Sequence, residues 1–386
     1  MISATRLRWR ARLSEAPRVL IAALSGRALA QAARLSGYAP LVADFFNDAD
    51  TRALAQASCQ VKGDFSQGFQ ETPLIAALHQ LAPPGLRLDP PGLVCGTGFE
   101  DRPGLLAELG RHWRLLGNAP QAVARVKDPL ALAALCAQAG VPHPETRLDP
   151  PAELAGWLVK QTGGSGGGHI LAAQAATASC GHYYQRVVKG SAVSLLILAD
   201  GRNCAVLGAS LQWTAPVPGQ PFRYGGAVRP ALLVPGQFDA LAAAAGRLAA
   251  ILGLKGLNSC DFLVTDTGFT LLEINPRPGA TLDIFTHPGL FQAHVDACNG
   301  RLPCQPLRFP QAEAAAIVYS ERDIPALPAR SWPGFVRDQP NPDTHLPNGA
   351  PICTIVAHAA EPHAARRLLD QRIAMIRSEI AHIPEA

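Results

Sequence analysis

Between Asp261 and Asn275 the chain reads "DFLVTDTGFTLLEIN", two apolar runs around a turn signal, with charged oxygens where a sheet tolerates them least. "DFLV" and "FTLLEIN" read as strands, and "DTG" suits a three-residue hairpin loop with Gly268 in the left-handed position. That register sets Thr265 opposite Phe269 and Asp261 opposite Glu273. Because side chains alternate, Asn275 shares a face with Glu273, and three oxygen-bearing side chains converge. Directly opposed like charges weaken a sheet, so the hairpin needs a compensating cation or a raised carboxylate pKa. The other reading leaves both carboxylates in solvent at a strand end. An all-oxygen set suits Mg²⁺, which completes its shell with water and phosphates. Pro276 and Pro278 then make "NPRPG" rigid, holding Asn275 extended and fixing Arg277 where a phosphate would lie, since arginine clamps phosphate bidentately.

A second stretch, "VKQTGGSGGGHI" from Val159 to Ile170, is open to two readings. Gly/Ser composition suits a flexible linker. Its flanks, "GWLVK" and "HILAA", are instead strand-like, which makes the glycines a hairpin tip. Such a tip at Gly163, Gly164, Ser165, Gly166 and Gly167 offers bare backbone N–H groups to an anion. Lys160, ending the first flank, either snorkels to water or reaches that anion. Of 34 basic residues only five are lysine, so each retained lysine is mildly informative.

A chain of 386 residues suggests two to three domains. At 48% hydrophobic and 17% charged it has an ordinary globular composition. The net charge of +4 is too small to argue for a nucleic-acid partner. Nine cysteines without a C-x-x-C pair suggest reduced thiols in a cytosol, with neither a disulfide framework nor a zinc site. "MISATRLRWRARLSEAPR" has arginines but lacks the apolar core of a secretory signal and reads as a frayed basic arm. Apolar stretches are broken well short of membrane-spanning length, so no membrane partner and a cytoplasmic location are expected.

The first segment alternates strand and helix: "RVLIAAL", "RALAQAARLSG", "APLVADFF", and later "GLVCGTGFED" before a helix, the pattern of a small parallel α/β sheet. Asp44 imitates the acidic residue of a dinucleotide unit, yet the first turn "LSGRALA" lacks G-x-G-x-x-G. "APQAVARVKDPLALAALCAQAG" reads as one helix stopping at Gly140. The strand-rich run to "GASLQW", the Ala-rich helix "FDALAAAAGRLAAILG" and the carboxylate hairpin follow. The tail offers strands "AAAIVYS" and "APICTIVAH" and a basic amphipathic helix. In the loop "PFRYGGAVRP", Arg223, Tyr224 and Arg229 suit an anionic substrate, and a surface turn explains them nearly as well. His287 and His294 have no partner in sequence.

"LLEINPRPG", Asp261 upstream, the glycine stretch and the entry segment "AQAGVPHPET" together resemble the ATP-grasp superfamily, in its biotin carboxylase-like branch. "PFRYGGAVRP" and "NGAPICTIVA" further resemble a group of predicted ATP-dependent carboligases. The resemblance covers nearly the whole chain. It implies a fold of mixed α/β and α+β class: an N-terminal Rossmann-like domain over 1–118, an ATP-grasp region over 119–304, and a small C-terminal α+β domain over 305–386. Within the ATP-grasp region, a glycine-loop lid lobe would occupy about 119–200 and a metal-binding lobe about 201–304. It further implies ATP between two lobes. Asp261, Glu273 and Asn275 would hold Mg²⁺, or Mn²⁺ in its place. Lys160 would contact the α- and β-phosphates, the glycine loop would cover the γ-phosphate, and the backbone of Gln185, Arg186, Val187 and Val188 would bind adenine. Two departures stand out. Pro129 takes the place of a second ATP lysine, leaving Lys127 either as its substitute or as a solvated helix-start residue, and Ala192 stands where many members have an acid.

The reaction this implies is that of an ADP-forming, C–N bond-forming ligase. ATP phosphorylates a substrate carboxylate, and an amine displaces phosphate from the acylphosphate, with Arg277 and Lys160 as the catalytic residues. Small-molecule carboxylate and amine partners follow, biosynthesis of a one-carbon carrier cofactor is a candidate setting, and a homodimer is left open. A carboxylase working through carboxyphosphate and a non-catalytic ATP-binding regulator are the rival readings.

Overall fold

The computed structural model describes residues 16–83, 92–175 and 180–383. The basic arm's Arg6, Arg8, Arg10 and Arg12 therefore lie outside the described residues, while Arg18 begins the first strand. β1 (Arg18–Ala22), α1 (Arg27–Leu35), β2 (Ala39–Asp44), α2 (Ala49–Leu54), β3 (Ala57–Gln60), α3 (Glu71–Leu81), β4 (Leu93–Cys95) and α4 (Pro103–His112) alternate as expected. Their strands form a parallel sheet in the order β3-β2-β1-β4. The side chain that looked like a dinucleotide acid serves the backbone instead: Asp44 accepts N–H groups from Gly26, Phe46 and Asn47.

The single helix expected before Gly140 is two, α5 (Pro120–Lys127) and α6 (Pro129–Ala139). Pro129 is the reason: it forces Asp128 extended, and Asp128 then caps α6 through the Leu130 and Ala131 N–H groups. A four-stranded antiparallel sheet follows, β5 (Thr146–Arg147), β6 (Trp157–Gln161), β7 (Leu171–Ala172) and β8 (His182–Arg186), in the order β5-β8-β6-β7.

The remaining strands build one eight-stranded sheet. They are β9 (Ser191–Asp200), β10 (Cys204–Thr214), β11 (Tyr224–Arg229), β12 (Lys255–Thr265), β13 (Gly268–Asn275), β14 (Ala312–Tyr319), β15 (Val336–Arg337) and β16 (Pro351–Ala359). Their order is β13-β12-β9-β10-β11-β14-β16-β15. Two expected boundaries shift in consequence. β9, placed in the lid lobe by residue number, pairs with β10 and β12. The tail's strands form no sheet of their own, because β14 pairs with β11 and continues the eight-stranded sheet, backed by α9 (Pro362–Ala381).

β9 reads as an unbroken apolar run because both its faces are covered. Leu195 and Ile197 pack with Leu241, Ala245 and Leu248 of α7 (Gln237–Leu252), whereas Leu196 and Leu198 face Phe291 and Val295 of α8 (Leu290–Cys298). Among the described residues no helix is long and apolar enough to cross a membrane.

Buried polar groups join these layers. Arg27 donates to both oxygens of Asp283, at 2.5 and 2.6 Å, and of Asp338, at 3.0 and 3.1 Å. It thereby ties the parallel sheet to segments on either side of α8 and β14. Asn118 bridges Asn258, the Pro276 carbonyl and the Lys255 N–H.

His294, unassigned from sequence, is a structural joint. Its Nδ1 accepts the Leu257 N–H at 2.9 Å and its Nε2 faces the Leu116 carbonyl at 3.1 Å, which requires the neutral Nε2–H tautomer. Burial holds its pKa down to about 4. The unfolded chain, with a histidine pKa of about 6.5, binds a proton the folded one does not, so stability is full above that value and falls as pH drops toward 4. Urea unfolding of wild type should lose up to about 3 kcal/mol more than His294→Gln between neutral pH and pH 4. Parallel pH profiles for the two proteins would remove His294 from this role.

Candidate functional site

The carboxylate hairpin forms with one local difference. Its loop is two residues, since Thr265 pairs with Gly268 and Val264 with Phe269, and Gly268 has no positive φ. The register shift between Asp261 and Phe262 absorbs the extra residue, so Asp261 still faces Glu273. The bulge, not the turn, delivers the opposed pair. Asn275 Nδ2 donates to Asp261 Oδ2 at 2.9 Å, and Ser194 Oγ lies 2.5 Å from Asp261 Oδ1.

The compensating cation is in the chain. Lys127 Nζ lies 3.3 Å from Glu273 Oε2 and donates to Asn275 Oδ1 at 3.1 Å. Its side chain is only 8% exposed, which overturns the solvated reading, and the Pro129 break that ends α5 at Lys127 sets where it points. Electrostatics divide the pair. Burial and the charge of Glu273 push Asp261 up, while for Glu273 the ammonium groups of Lys127 and Lys160 outweigh burial and hold it down. Glu273 stays 36% exposed toward the cleft. Two carboxylates and an amide oxygen around an ammonium make a donor set that fits a hard divalent ion. Among the described residues no three His, Cys, Asp or Glu side chains group to hold a metal, so the amide is a needed member of this set.

Lys160 is buried in the same cleft, its Nζ bonded to Gln185 Oε1 at 3.0 Å, and burial lowers its pKa. Val126, Lys127, His143, Gly163, Gly164, His169 and Tyr183 line the cleft with Gln185 and Glu273. His143, missed from sequence, lines the same cleft, and burial pushes its pKa down to about 4. In the stretch whose backbone was expected to bind adenine, the Arg186 and Val187 N–H groups already donate to the Glu145 and Gly156 carbonyls.

The glycine stretch is a hairpin tip: Leu158 pairs with Ala172 and Val159 with Leu171. It docks on the loop before β11, where the Tyr224 N–H donates to the Gly166 carbonyl at 2.9 Å. A Cβ on Gly167 would run into the Phe222 carbonyl, and one on Gly164 into the His169 ring. The glycines are thus a packing requirement against protein.

Arg277 does not stand free. Its Nε donates to Glu100 Oε1 at 2.6 Å, and Glu100 also accepts the Gly98 and Phe99 N–H groups. Burial would raise Glu100, but the Arg277 and Lys127 charges hold it low. Glu100 was missed, though "GTGFED" places an acid just past a parallel strand, where such sheets bind ligands. A mainly apolar pocket of Leu93, Cys95, Phe99, Leu116 and Pro276 opens beside this pair.

The three residues expected in a loop separate, and two of them, Tyr224 and Arg229, are the first and last residues of β11. Arg229 is buried beneath Phe285 and Phe309, donates to the Ile284 and Phe309 carbonyls and pairs with Glu313, so its guanidinium is committed to the core. Arg223 stacks on Tyr319 and donates to the Ala215 carbonyl. Burial raises the pKa of Tyr224, and the charges of Asp283 and Asp261 add to the rise.

With that geometry in view, residues 126–281 match the family model of the ATP-grasp domain. The overall fold is similar to those of solved biotin carboxylases and a carboxyaminoimidazole ribonucleotide synthetase. The Campylobacter jejuni biotin carboxylase, solved as a complex with a βγ-ATP ligand, is similar at 17% identity and TM-score 0.67, over 93% of this chain and 90% of that one. The Thermotoga maritima N5-carboxyaminoimidazole ribonucleotide synthetase is similar at 13% identity and TM-score 0.64, over 93% and 98%. For Rhizobium etli pyruvate carboxylase the values are 17% and 0.69; 92% of this chain is covered, and it spans only 39% of that enzyme's length. No curated protein sequence matches.

The lid contact is testable without substrate. Gly167→Ala should raise hydrogen exchange across residues 162–168 by about tenfold or more, because a Cβ meets backbone that cannot rotate away. Gly166→Ala, with open space around its Cβ and the same positive φ, carries the backbone strain without the clash and should raise it clearly less. Equal effects would mean that the tip does not seat on Phe222.

Proposed function

We propose that this protein is an ATP-dependent, ADP-forming ligase that activates a carboxylate as an acylphosphate and joins it to an amine. The observation that supports it is the convergence of Lys127, Lys160, Asp261, Glu273 and Asn275 on one cleft beside the glycine hairpin, with Arg277 held by Glu100 next to it. Asp261, Glu273 and Asn275 would hold Mg²⁺, which when bound neutralises charge on the phosphates. Lys160 and Lys127 bind the phosphates, and the glycine tip and His169 exclude water. Arg277, oriented by Glu100, offsets the negative charge of the carboxylate and the phosphoryl group it receives. The carboxylate oxygen attacks the γ-phosphorus and ADP leaves. The amine then attacks the acyl carbon, phosphate leaves, and the nitrogen loses its proton. Every part is positioning and charge, so no nucleophilic side chain is needed.

A carboxylase working through carboxyphosphate is the second reading, favoured by the names of the biotin carboxylase and the carboxyaminoimidazole ribonucleotide synthetase. Bicarbonate-dependent ADP release without any organic acid would select it. Nine unpaired thiols support a cytoplasmic setting. The dimeric biotin carboxylase domain from Hydrogenobacter thermophilus supports a homodimer, and a one-carbon cofactor pathway stays the candidate context.

Glu273→Gln should cut Mg²⁺-dependent ADP release by about a hundredfold or more at a temperature where it is still folded, with a lowered thermal melt because Lys127 loses its charged partner. In wild type, the right acid with hydroxylamine should yield hydroxamate and ADP in equal amounts. ADP release that is rapid without any acid would contradict the ligase.

A further inference from the structure

The loops at the carboxyl ends of β1 and β2, where parallel sheets place their ligands, hold more acid than the ligase chemistry uses. Arg27 is committed to Asp283 and Asp338. Asp44 is satisfied by three backbone N–H groups, and Asp50 by those of Asp338 and Gln339 at 2.9 and 3.0 Å. That leaves Asp48. It precedes α2 as its N-cap residue, yet its side chain caps nothing. It is 6% exposed, and among the described residues no donor reaches its carboxylate. In the same turn Asn47 Oδ1 and Thr51 Oγ1 are buried without partners. Three unmatched acceptors within five residues, beside a guanidinium already spent, lack one kind of group: a cation rich in N–H donors. No three carboxylates among the described residues group to hold a metal, which favours nitrogen over a divalent ion.

We propose that Asp48 binds the ammonium group of a primary amine, and that this is where the amine substrate of the ligase is anchored. The second half rests on the ligase reading; the binding itself does not. The phenol of Tyr224 feels the charges of both Asp283, which holds Arg27, and Asp261 of the carboxylate hairpin. Burial first, then the charges of Asp338, Asp44 and Asp50, raise Asp48 to about 8, against the opposing pull of Arg27. Asp283, bonded to Arg27, completes the charged surroundings. Near neutral pH the empty carboxyl is therefore mostly protonated, and an arriving ammonium expels that proton. Affinity rises with pH from 6 toward 8 as the carboxyl ionises.

The test is calorimetric titration of the full chain with 1,4-diaminobutane, methylguanidine and MgCl2 separately, without ATP or acid, near neutral pH in two amine-free buffers of different ionisation enthalpy. Expected is saturable diaminobutane binding with release of about one proton in wild type. Asp48→Asn should lose the proton release and weaken binding about tenfold or more, with Asp48→Glu restoring both in part. Were Asp48→Asn to misfold, the proton release and its retention in Asp48→Glu still decide. No saturable amine binding, undiminished binding in Asp48→Asn, or binding of Mg²⁺ alone would overturn the proposal. Wild-type hydroxamate formation tests the ligase separately: its failure beside Asp48-dependent binding removes the ligase and keeps the site, and the reverse removes only the site.

Discussion

Two carboxylates facing each other on neighbouring strands are the interaction on which the rest of this site depends. Asp261 and Glu273 cannot both be ionised cheaply in a partly buried cleft, and the protein resolves this by splitting them. Asp261, bonded to Ser194 and Asn275, is pushed up; Glu273, beside Lys127 and Lys160, is held down. Each ammonium is in turn buried and would be costly alone. The lysines and acids thus stabilise one another, and a phosphate or a metal ion entering the cleft meets groups already in place.

Rigid and movable parts divide accordingly. The carboxylate-bearing strands β12 and β13 lie at the edge of an eight-stranded sheet covered by helices on both faces. The glycine tip belongs to a separate four-stranded sheet with a small core of Trp157, Val159, Ala173 and Tyr184. Its hold on the rest runs through backbone contacts to the loop before β11. Few buried apolar contacts and a handful of surface hydrogen bonds are the marks of a segment that opens at low cost. Lys160 stands at the root of that tip, at the end of β6, so movement of the tip would carry its ammonium with it.

Polar joints decide how the layers meet. Arg27, Asn118, His294 and Glu100 each link segments more than a hundred residues apart and are buried or nearly so. Burying such groups stabilises only when every partner is met, which makes them specific to one arrangement of the layers. Asp48 stands out against that background as a buried acid whose side chain does not cap the helix it precedes.

Much of this was legible locally. The alternation from Arg18 to Asp44, the opposed Asp261 and Glu273, the hairpin around the glycines and the ATP-grasp resemblance all follow from short-range pattern, because strand pairing and turn chemistry act over a few residues. Local pattern also misled: the turn at Gly268 came out a residue short, and only a bulge restored the register. What sequence could not show is everything set by distant packing. Whether Lys127 points to water, whether Arg229 serves a ligand or the core, and that Glu100 holds Arg277 depend on groups 80 to 180 residues away. A charged side chain's role is fixed by what surrounds it after burial, and that environment exists only once the layers have come together.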